Sequence, residues 1–384
     1  MKIAFIGQKG LPAKYGGVEN HVEKLAMGLA ERGHDVFVYT RPWYTDKNLK
    51  EYKDVSLISL PSLKTKHFDA ISHTFLCTMH SLFKKYDVIH YHGIGPALMS
   101  FLPRIFLRRT KVVVTFHSID SLHEKWGAVA RFFLKLGERF AVTAPHETIA
   151  VSKSLQKYCH DKFNVEVVYI PNGASLPESF GDNIVKEKFN LRSKGYLLVA
   201  VRLIKVKRID LLIEAFKDLK TEKRLVIAGG SVFTDDYVND LKKMAAGDRR
   251  IMFTGFQSGE ALQQLFENAL LFVHPSDSEG LPISVLESMS FGVPTVVSNI
   301  PAHLELMPEN LRSALVFEKG DAGDLKKKLS SLLANVNTLP NMGQQLKREV
   351  IDEFDWQKVI ERTEKLYKEI IYQPRLKKVG ILEL

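Results

Sequence analysis

A chain of 384 residues with 45% hydrophobic and 26% charged residues is too long for one comfortable core and too apolar for wholesale disorder, so two globular domains are expected. Its two cysteines, Cys77 and Cys159, exclude a disulfide framework or a cysteine metal cluster. The net charge of +10 is uneven: residues 1–175 carry 24 Lys and Arg against 15 Asp and Glu, with 11 of the 13 histidines, and the remainder carries 30 against 29, which predicts different partners for the two halves.

Lys2–Gly7 reads as a short buried strand with a glycine stop. A polar loop, Gln8 to Gly17, leads into a helix over Glu19–Arg32, where Val22, Leu25, Ala26 and Leu29 share one face. Gly33 ends it, and Asp35–Thr40 is the next strand. Strand, loop, helix and strand make the βαβ unit of a parallel sheet. Asp87–His90, Lys111–Phe116 and Glu147–Val151 continue the strands, with a helix over Ala128–Phe140. Asn172-Gly173 is a turn, and the domain linker is placed near the start of the polar stretch Leu176–Lys194. A second alternation follows: strands at Tyr196–Val201, Arg224–Ala228, Ile251–Thr254, Leu270–His274 and Thr295–Ser298, helices at Arg208–Leu219 and Pro282–Phe291. A long amphipathic helix, Trp356–Ile371, closes the chain. The fold class is therefore α/β, two doubly wound domains, 1–175 and 176–356, facing a cleft at the carboxyl ends of their strands, where ligands tend to sit.

Four segments carry candidate chemistry. Pro275 to Met289 follows a buried strand. Within it Gly280 and Leu281 offer backbone N–H groups beside a helix start, which suits a diphosphate. Glu279 and Glu287 would lie about 80° apart on one helix and roughly 12 Å apart along it. With Glu279 in the loop and Glu287 on the helix, both can reach one ligand, and carboxylates accept paired sugar hydroxyls. Taken alone, they are better suited to solvated acids at a helix start. Arg202 and Lys207 follow the strand Tyr196–Val201, where a guanidinium fork and an ammonium can hold phosphate oxygens; a basic surface loop is the plain alternative. Gly16-Gly17, before the first helix, permits close backbone approach, but the loop is not the G-x-G-x-x-G of a dinucleotide site. His117 follows another strand and can meet a sugar hydroxyl. His90 and His92 read as structural or acceptor-facing, because no third metal ligand is evident beside them.

In this order, Gly16-Gly17-Val18-Glu19, His117, Arg202 with Lys207, and Glu279 through Glu287 resemble the retaining glycosyltransferases of family 4, which have the GT-B fold. The resemblance spans nearly the whole chain. It implies that Arg202 and Lys207 bind the donor diphosphate and stabilise the leaving group. Glu279 would hold donor sugar hydroxyls, Gly280 and Leu281 would bond near the phosphates or sugar, and Glu287 would hold the ribose. His117, Gly16 and Gly17 would approach the donor from the first domain, and base recognition is placed near Gly255-Phe256. The terminal helix, about 357–384, would cross back onto the first domain. No cofactor and no metal are implied: the nucleotide-diphosphate sugar is a co-substrate. The loop Gly10 to Glu19 is similar to that of the bacterial polysaccharide and rhamnosyltransferase-like subgroup. The chain departs from the family at Ser118 and at Ile283-Ser284, where glycine is common.

The acceptor implied is a glycan or a polyprenyl-diphosphate-linked sugar. Phe101–Lys111 and Trp126–Phe140 interleave aromatic and cationic residues as an anionic membrane surface would require; a core-facing helix with a basic outer side gives the same pattern. No apolar run approaches the roughly 20 residues of a bilayer span, and the N-terminal apolar run is too short for a secretory signal, so a cytoplasmic protein, peripheral on the inner membrane face, is expected. Two rivals stay open: a sugar-nucleotide epimerase or phosphorylase on the same fold, and a basic nucleic-acid-binding protein, for which no recognised motif is present.

Overall fold

The computed structural model describes residues 1–63, 65, 68–119, 128–231 and 234–372. The chain divides into two units, Met1–Asn172 together with the chain from Trp356 onward, and Gly173–Asp355. The part of the expected terminal helix beyond 372, and residues 126–127 of the aromatic and basic stretch, lie outside the described residues.

The first unit is built on eight strands: β1 (Lys2–Ile6), β2 (Asp35–Thr40), β3 (Glu51–Tyr52), β4 (Val55–Ser59), β5 (Val88–His92), β6 (Lys111–Phe116), β7 (Glu147–Ala150) and β8 (Val168–Tyr169). Their order is β3-β4-β2-β1-β5-β6-β7-β8, and every pair is parallel except β3 with β4. Ile3, Ala4, Phe5 and Ile6 are all fully buried, as are Val112, Val113 and Val114. A parallel sheet is covered on both faces, which is why these strands read as continuous apolar runs instead of alternating ones.

The helix Gly17–Glu31 buries Val22, Leu25, Ala26 and Leu29. The terminal helix Trp356–Tyr372 adds Val359, Ile360, Leu366, Tyr367 and Ile370 to the same apolar cluster, so it belongs to the first unit. A Cβ on Gly28 would lie 2.2 Å from Ile360 Cδ1, so glycine is what lets the two helices close. At their polar edge Glu364 accepts from Arg32 at 3.1 Å and pairs with His34 at 3.0 Å.

The second unit has six strands: β9 (Tyr196–Ala200), β10 (Arg224–Ala228), β11 (Ile251–Gly255), β12 (Leu271–His274), β13 (Thr295–Ser298) and β14 (Val316–Phe317). All pairs are parallel, in the order β11-β10-β9-β12-β13-β14. The helix Leu339–Glu353 touches the backbone at the end of the helix Ile283–Ser290: a Cβ on Gly343 would meet the Gly292 carbonyl at 1.9 Å.

Both units are thus Rossmann-like α/β domains, and in each the strand order reverses once. In the first the reversal lies between β1 and β5, in the second between β9 and β12. Adjacent strands whose crossovers run in opposite directions leave a crevice at their carboxyl ends, and ligands of open α/β sheets bind there. The fold therefore selects four loops for inspection, those after β1, β5, β9 and β12.

Several elements differ from expectation. Helix Asp69–Leu82 and helix Lys153–Phe163 were not expected, nor was the β3–β4 pair. Helix Asn183–Phe189 falls inside the polar stretch Leu176–Lys194, for which no helix was expected. Pro282 stands one residue before its helix, which begins at Ile283. Cys77 and Cys159 are free and fully buried, packing as small apolar side chains.

Candidate active site

In the second unit the chain leaves β9 at Ala200 and turns through Arg202 to a short 3-10 turn, Lys205–Lys207. Arg208 takes a left-handed φ of 49° to start the helix Ile209–Lys217. The chain leaves β12 at His274 and runs through Glu279 to the helix Ile283–Ser290. Because β9 and β12 are neighbours, the two loops lie side by side and are laced together. Asp277 N donates to the Val206 carbonyl at 2.9 Å, Ser276 Oγ donates to the same carbonyl at 3.1 Å, and Arg208 donates to Asp277 at 3.2 Å.

This lacing brings Lys207 Nζ into direct hydrogen-bonded contact with Glu279 Oε1. The side chains are only 13% and 11% exposed. Burial pushes the Glu279 carboxyl up, but the Lys207 ammonium beside it wins and holds it at about 2. Burial pushes Lys207 down, with Glu279 opposing. The pair is therefore a fixed, charged partnership at the switch point. Arg202 stands exposed on the same loop, two residues past the end of β9.

Behind Glu279 lies a histidine chain that sequence reasoning missed. His274 Nε2 is 3.6 Å from Glu279 Oε1. His274 Nδ1 meets His303 Nε2 at 3.0 Å, and His303 Nδ1 reaches the Ser298 carbonyl at 2.9 Å. His274 closes β12 inside an apolar run, so its only signal was a polar residue in a buried strand. Burial pushes His274 well below its ordinary value and holds His303 at about 4, against 6.5 in water. The unfolded state therefore binds more protons between those two values, and His303 loses stability as pH falls from 6.5 to 4, by on the order of 3 kcal/mol. Urea denaturation at pH 7 and pH 4 should show a smaller pH effect in His303→Gln than in the unsubstituted protein; an equal effect would contradict this assignment.

Gly280 and Leu281 are buried in the loop, and Glu287 is half-buried on the helix that follows. Phe256 is 48% exposed just after β11 and next to Gly255, whose φ is +70°. A Cβ on Gly229 would strike the Val201 carbonyl at 1.9 Å, so the exits of β9 and β10 close up only with glycine there.

In the first unit, Gly16 caps the helix Gly17–Glu31 with a φ of 109°. A Cβ there would lie 1.9 Å from Glu19 Oε2. Glu19 is buried, and its Oε1 accepts from Lys9 Nζ at 2.8 Å and Lys9 N at 3.2 Å, so it fixes the loop. Tyr44 Oη ties down the same loop, accepting from Lys14 N at 2.6 Å and Tyr15 N at 3.0 Å.

His117 comes one residue after β6 and is half-buried. Its Nε2 meets His92 Nδ1 at 3.0 Å, at the end of β5. The His21 ring stands edge-on to His117 with centroids 4.9 Å apart, and His21 Nδ1 meets Asn172 Oδ1 at 2.9 Å. The reading that no third metal ligand is evident beside His90 and His92 is therefore corrected for His92, which has His21 and His117 beside it. His21, one residue before Val22 and four before Leu25, lies on the buried helix face, and a polar residue there was the available signal. His90 is structural: it bonds Tyr367 Oη at 2.6 Å and Thr115 Oγ1 at 2.7 Å.

Two family models match the chain, "Glycosyltransferase Family 4" over residues 15–177 and "Glycosyl transferases group 1" over 182–349. One model falls on each unit, and the second contains Arg202, Lys207, Glu279 and Glu287. The chain is a GT-B glycosyltransferase. An uncharacterised glycosyltransferase of Methanocaldococcus jannaschii is 26% identical over 402 aligned positions, covering 96% of this chain and 98% of that protein. The O-antigen chain mannosyltransferase C of Escherichia coli is 25% identical, covering 97% and 99%. Among solved structures, HepE of Anabaena in complex with UDP and glucose superposes with a TM-score of 0.79 at 17% identity, covering 96% of this chain and 100% of that one. For this glycosyltransferase, the paired loops after β9 and β12 are the candidate donor site.

Proposed function

We propose that this glycosyltransferase moves a sugar, with retention at the anomeric carbon, from a nucleotide-diphosphate sugar to an acceptor hydroxyl on a lipid-linked or growing surface glycan. The observation that carries the reading is the Lys207–Glu279 pair at the β9/β12 switch point, with Arg202 on the same loop. Breaking the anomeric bond places negative charge on the departing diphosphate. Arg202 and Lys207 stabilise that charge as it grows, aided by the N–H groups of Gly280 and Leu281. These cations take the part that a metal plays elsewhere, so the transfer step needs none. Glu279 holds sugar hydroxyls, Glu287 the ribose, and Phe256 lies against the base. The family resemblance adds a sugar contact for His117 and an approach of Gly16 and Gly17 to the diphosphate or sugar. The phosphate oxygen itself helps to deprotonate the acceptor on the face from which it leaves. The likeness to the O-antigen enzyme supports a surface-glycan acceptor.

A thermal-shift panel of nucleoside diphosphates and their sugars tests the donor. At a hundred times its Kd the right donor stabilises the protein by about 2.7 kcal/mol, a clear rise in Tm. A flat response across the whole panel would overturn the reading.

On the acceptor side, helix Ala128–Thr143 presents Phe132 at 64% exposed and Phe133 at 47%, with Arg131, Lys135 and Arg139 on the same element. Helix Phe101–Phe106 presents Ile105 and Phe106, both exposed. No helix of the described residues is long and apolar enough to cross a membrane. An aromatic and cationic face of this kind suits an anionic lipid surface. Flotation with anionic vesicles should carry the protein at low salt and release it at high salt. No binding at low salt would contradict the membrane role.

A further inference from the structure

We propose that His21, His92 and His117 form a binding site for one transition-metal ion of the zinc class, and that its occupancy regulates the enzyme by competing for His117. The three imidazoles come from three separate elements: the helix Gly17–Glu31, the end of β5 and the residue after β6. One nitrogen from each lies within 4.8 Å of the others. Nitrogens bound at about 2.0–2.1 Å to one ion are at most about 4 Å apart, so the widest separation has to close by under about 1 Å. The 3.0 Å between His92 Nδ1 and His117 Nε2 already fits two ligands of one ion.

One further observation points to a ligand, the Asn172 contact. Asn172 Oδ1 meets His21 Nδ1 at 2.9 Å, which leaves Nε2 as the ligand atom. Metal-binding histidines characteristically have their second nitrogen held in this way, which fixes tautomer and ring orientation. His90 packs against the cluster with its ring centroid 4.2 Å from that of His92, but both its nitrogens are engaged by Tyr367 and Thr115, so it is not a ligand.

Three imidazoles with no carboxylate or thiolate suit zinc, copper, nickel or cobalt rather than magnesium or calcium, which take oxygen ligands. Three protein ligands leave a fourth position open, as in sites whose metal meets a small exchangeable ligand. The metal is no part of the transfer step proposed above. It acts by engaging the His117 imidazole that the donor sugar would otherwise meet. That consequence rests on the proposed donor contact of His117; the binding site itself does not.

The test is a calorimetric titration of zinc chloride into the full chain after EDTA treatment and desalting, with the absorption spectrum of the Co2+ form. One ion per chain is expected, with the intense visible bands of low-coordinate cobalt. His21→Gln and His92→Gln should each weaken zinc at least tenfold. Asn172→Ala, which removes the orienting contact, should weaken it about 10–100-fold. His160→Gln, on an exposed side chain, should leave it unchanged. Circular dichroism of each variant establishes that it is folded. The proposal is overturned if the unsubstituted protein takes up no stoichiometric zinc, or if binding survives both His21→Gln and His92→Gln, or if His160→Gln abolishes it. Repeating the donor thermal shift with EDTA and with zinc reads the regulation. A donor shift that zinc diminishes is expected, and one that zinc leaves untouched removes the regulatory role. Because zinc binding is read without donor, and donor binding in EDTA without metal, either can fail alone.

Discussion

Arg202→Ala should lower kcat by roughly 10²–10³-fold while leaving thermal stability almost unchanged. The side chain is exposed, so removing it strands no buried partner, and surface substitutions of this kind stay within about 0.5 kcal/mol. The expected loss comes from the departing diphosphate, whose growing negative charge loses a charge-assisted donor. Arg202→Lys keeps the charge but not the fork, and should recover only part of the rate. Saturating-donor kinetics beside a thermal melt separates the two readouts. A loss of only a few-fold in Arg202→Ala would remove Arg202 from the chemistry.

Lys207→Ala should fail in both respects. Lys207 and Glu279 are nearly buried and bonded to each other, and removing one member of such a pair typically costs about 3–5 kcal/mol because the other charge stays behind. The carboxylate held at about 2 would lose the ammonium that keeps it there. Its pKa would rise toward and beyond the ordinary carboxylate range, and part of the lost stability would return on acidification. The double variant Lys207→Ala with Glu279→Ala leaves no orphaned charge, so it should regain much of the stability and none of the turnover. Urea denaturation of the two single variants and the double one completes the cycle. If Lys207→Ala is as stable as the unsubstituted protein, the pair is not the buried partnership described here. If the double variant regains turnover, Lys207 has no part in charge stabilisation.

The parts of the fold that could be read in advance are those where local chemistry and burial agree. Lys111–Phe116, Arg224–Ala228 and Thr295–Ser298 are apolar runs, and the strands have those bounds. Helix Asp69–Leu82 escaped because its pattern is inverted. It buries His73, Thr74, Cys77, Thr78 and Ser81, and exposes Ile71, Phe75 and Leu76. The inward polar groups are served by tertiary partners absent from any local pattern, such as Tyr91 for Thr78 at 2.9 Å and the Thr40 carbonyl for His73 at 3.1 Å. Helix Asn183–Phe189 was hidden in a polar stretch because it is short and buries only Val185 and Phe189.

The site followed the same division. Arg202, Lys207, Glu279 and Glu287 were legible as residue types at loop and helix starts, because loops after strands are where α/β sheets place ligands. That Lys207 and Glu279 touch was not legible. Their 72-residue separation is closed only by the pairing of β9 with β12, and strand order is a tertiary fact. His21 with His92 and His117, and His274 with His303, were invisible for the same reason. Each group draws on strand ends, loops or helices whose adjacency the sheet decides. Sequence spacing presents Lys207, a phosphate cation, and Glu279, a sugar acceptor, as separate residues; the fold joins them by a hydrogen bond.

The most direct test is a crystal structure of the full chain with the nucleoside diphosphate that gives the largest thermal shift. The phosphates should lie against Arg202, Lys207 and the N–H groups of Gly280 and Leu281, with the ribose on Glu287. A diphosphate bound elsewhere, with none of these residues in contact, would contradict the assignment of the β9 and β12 loops as the donor site.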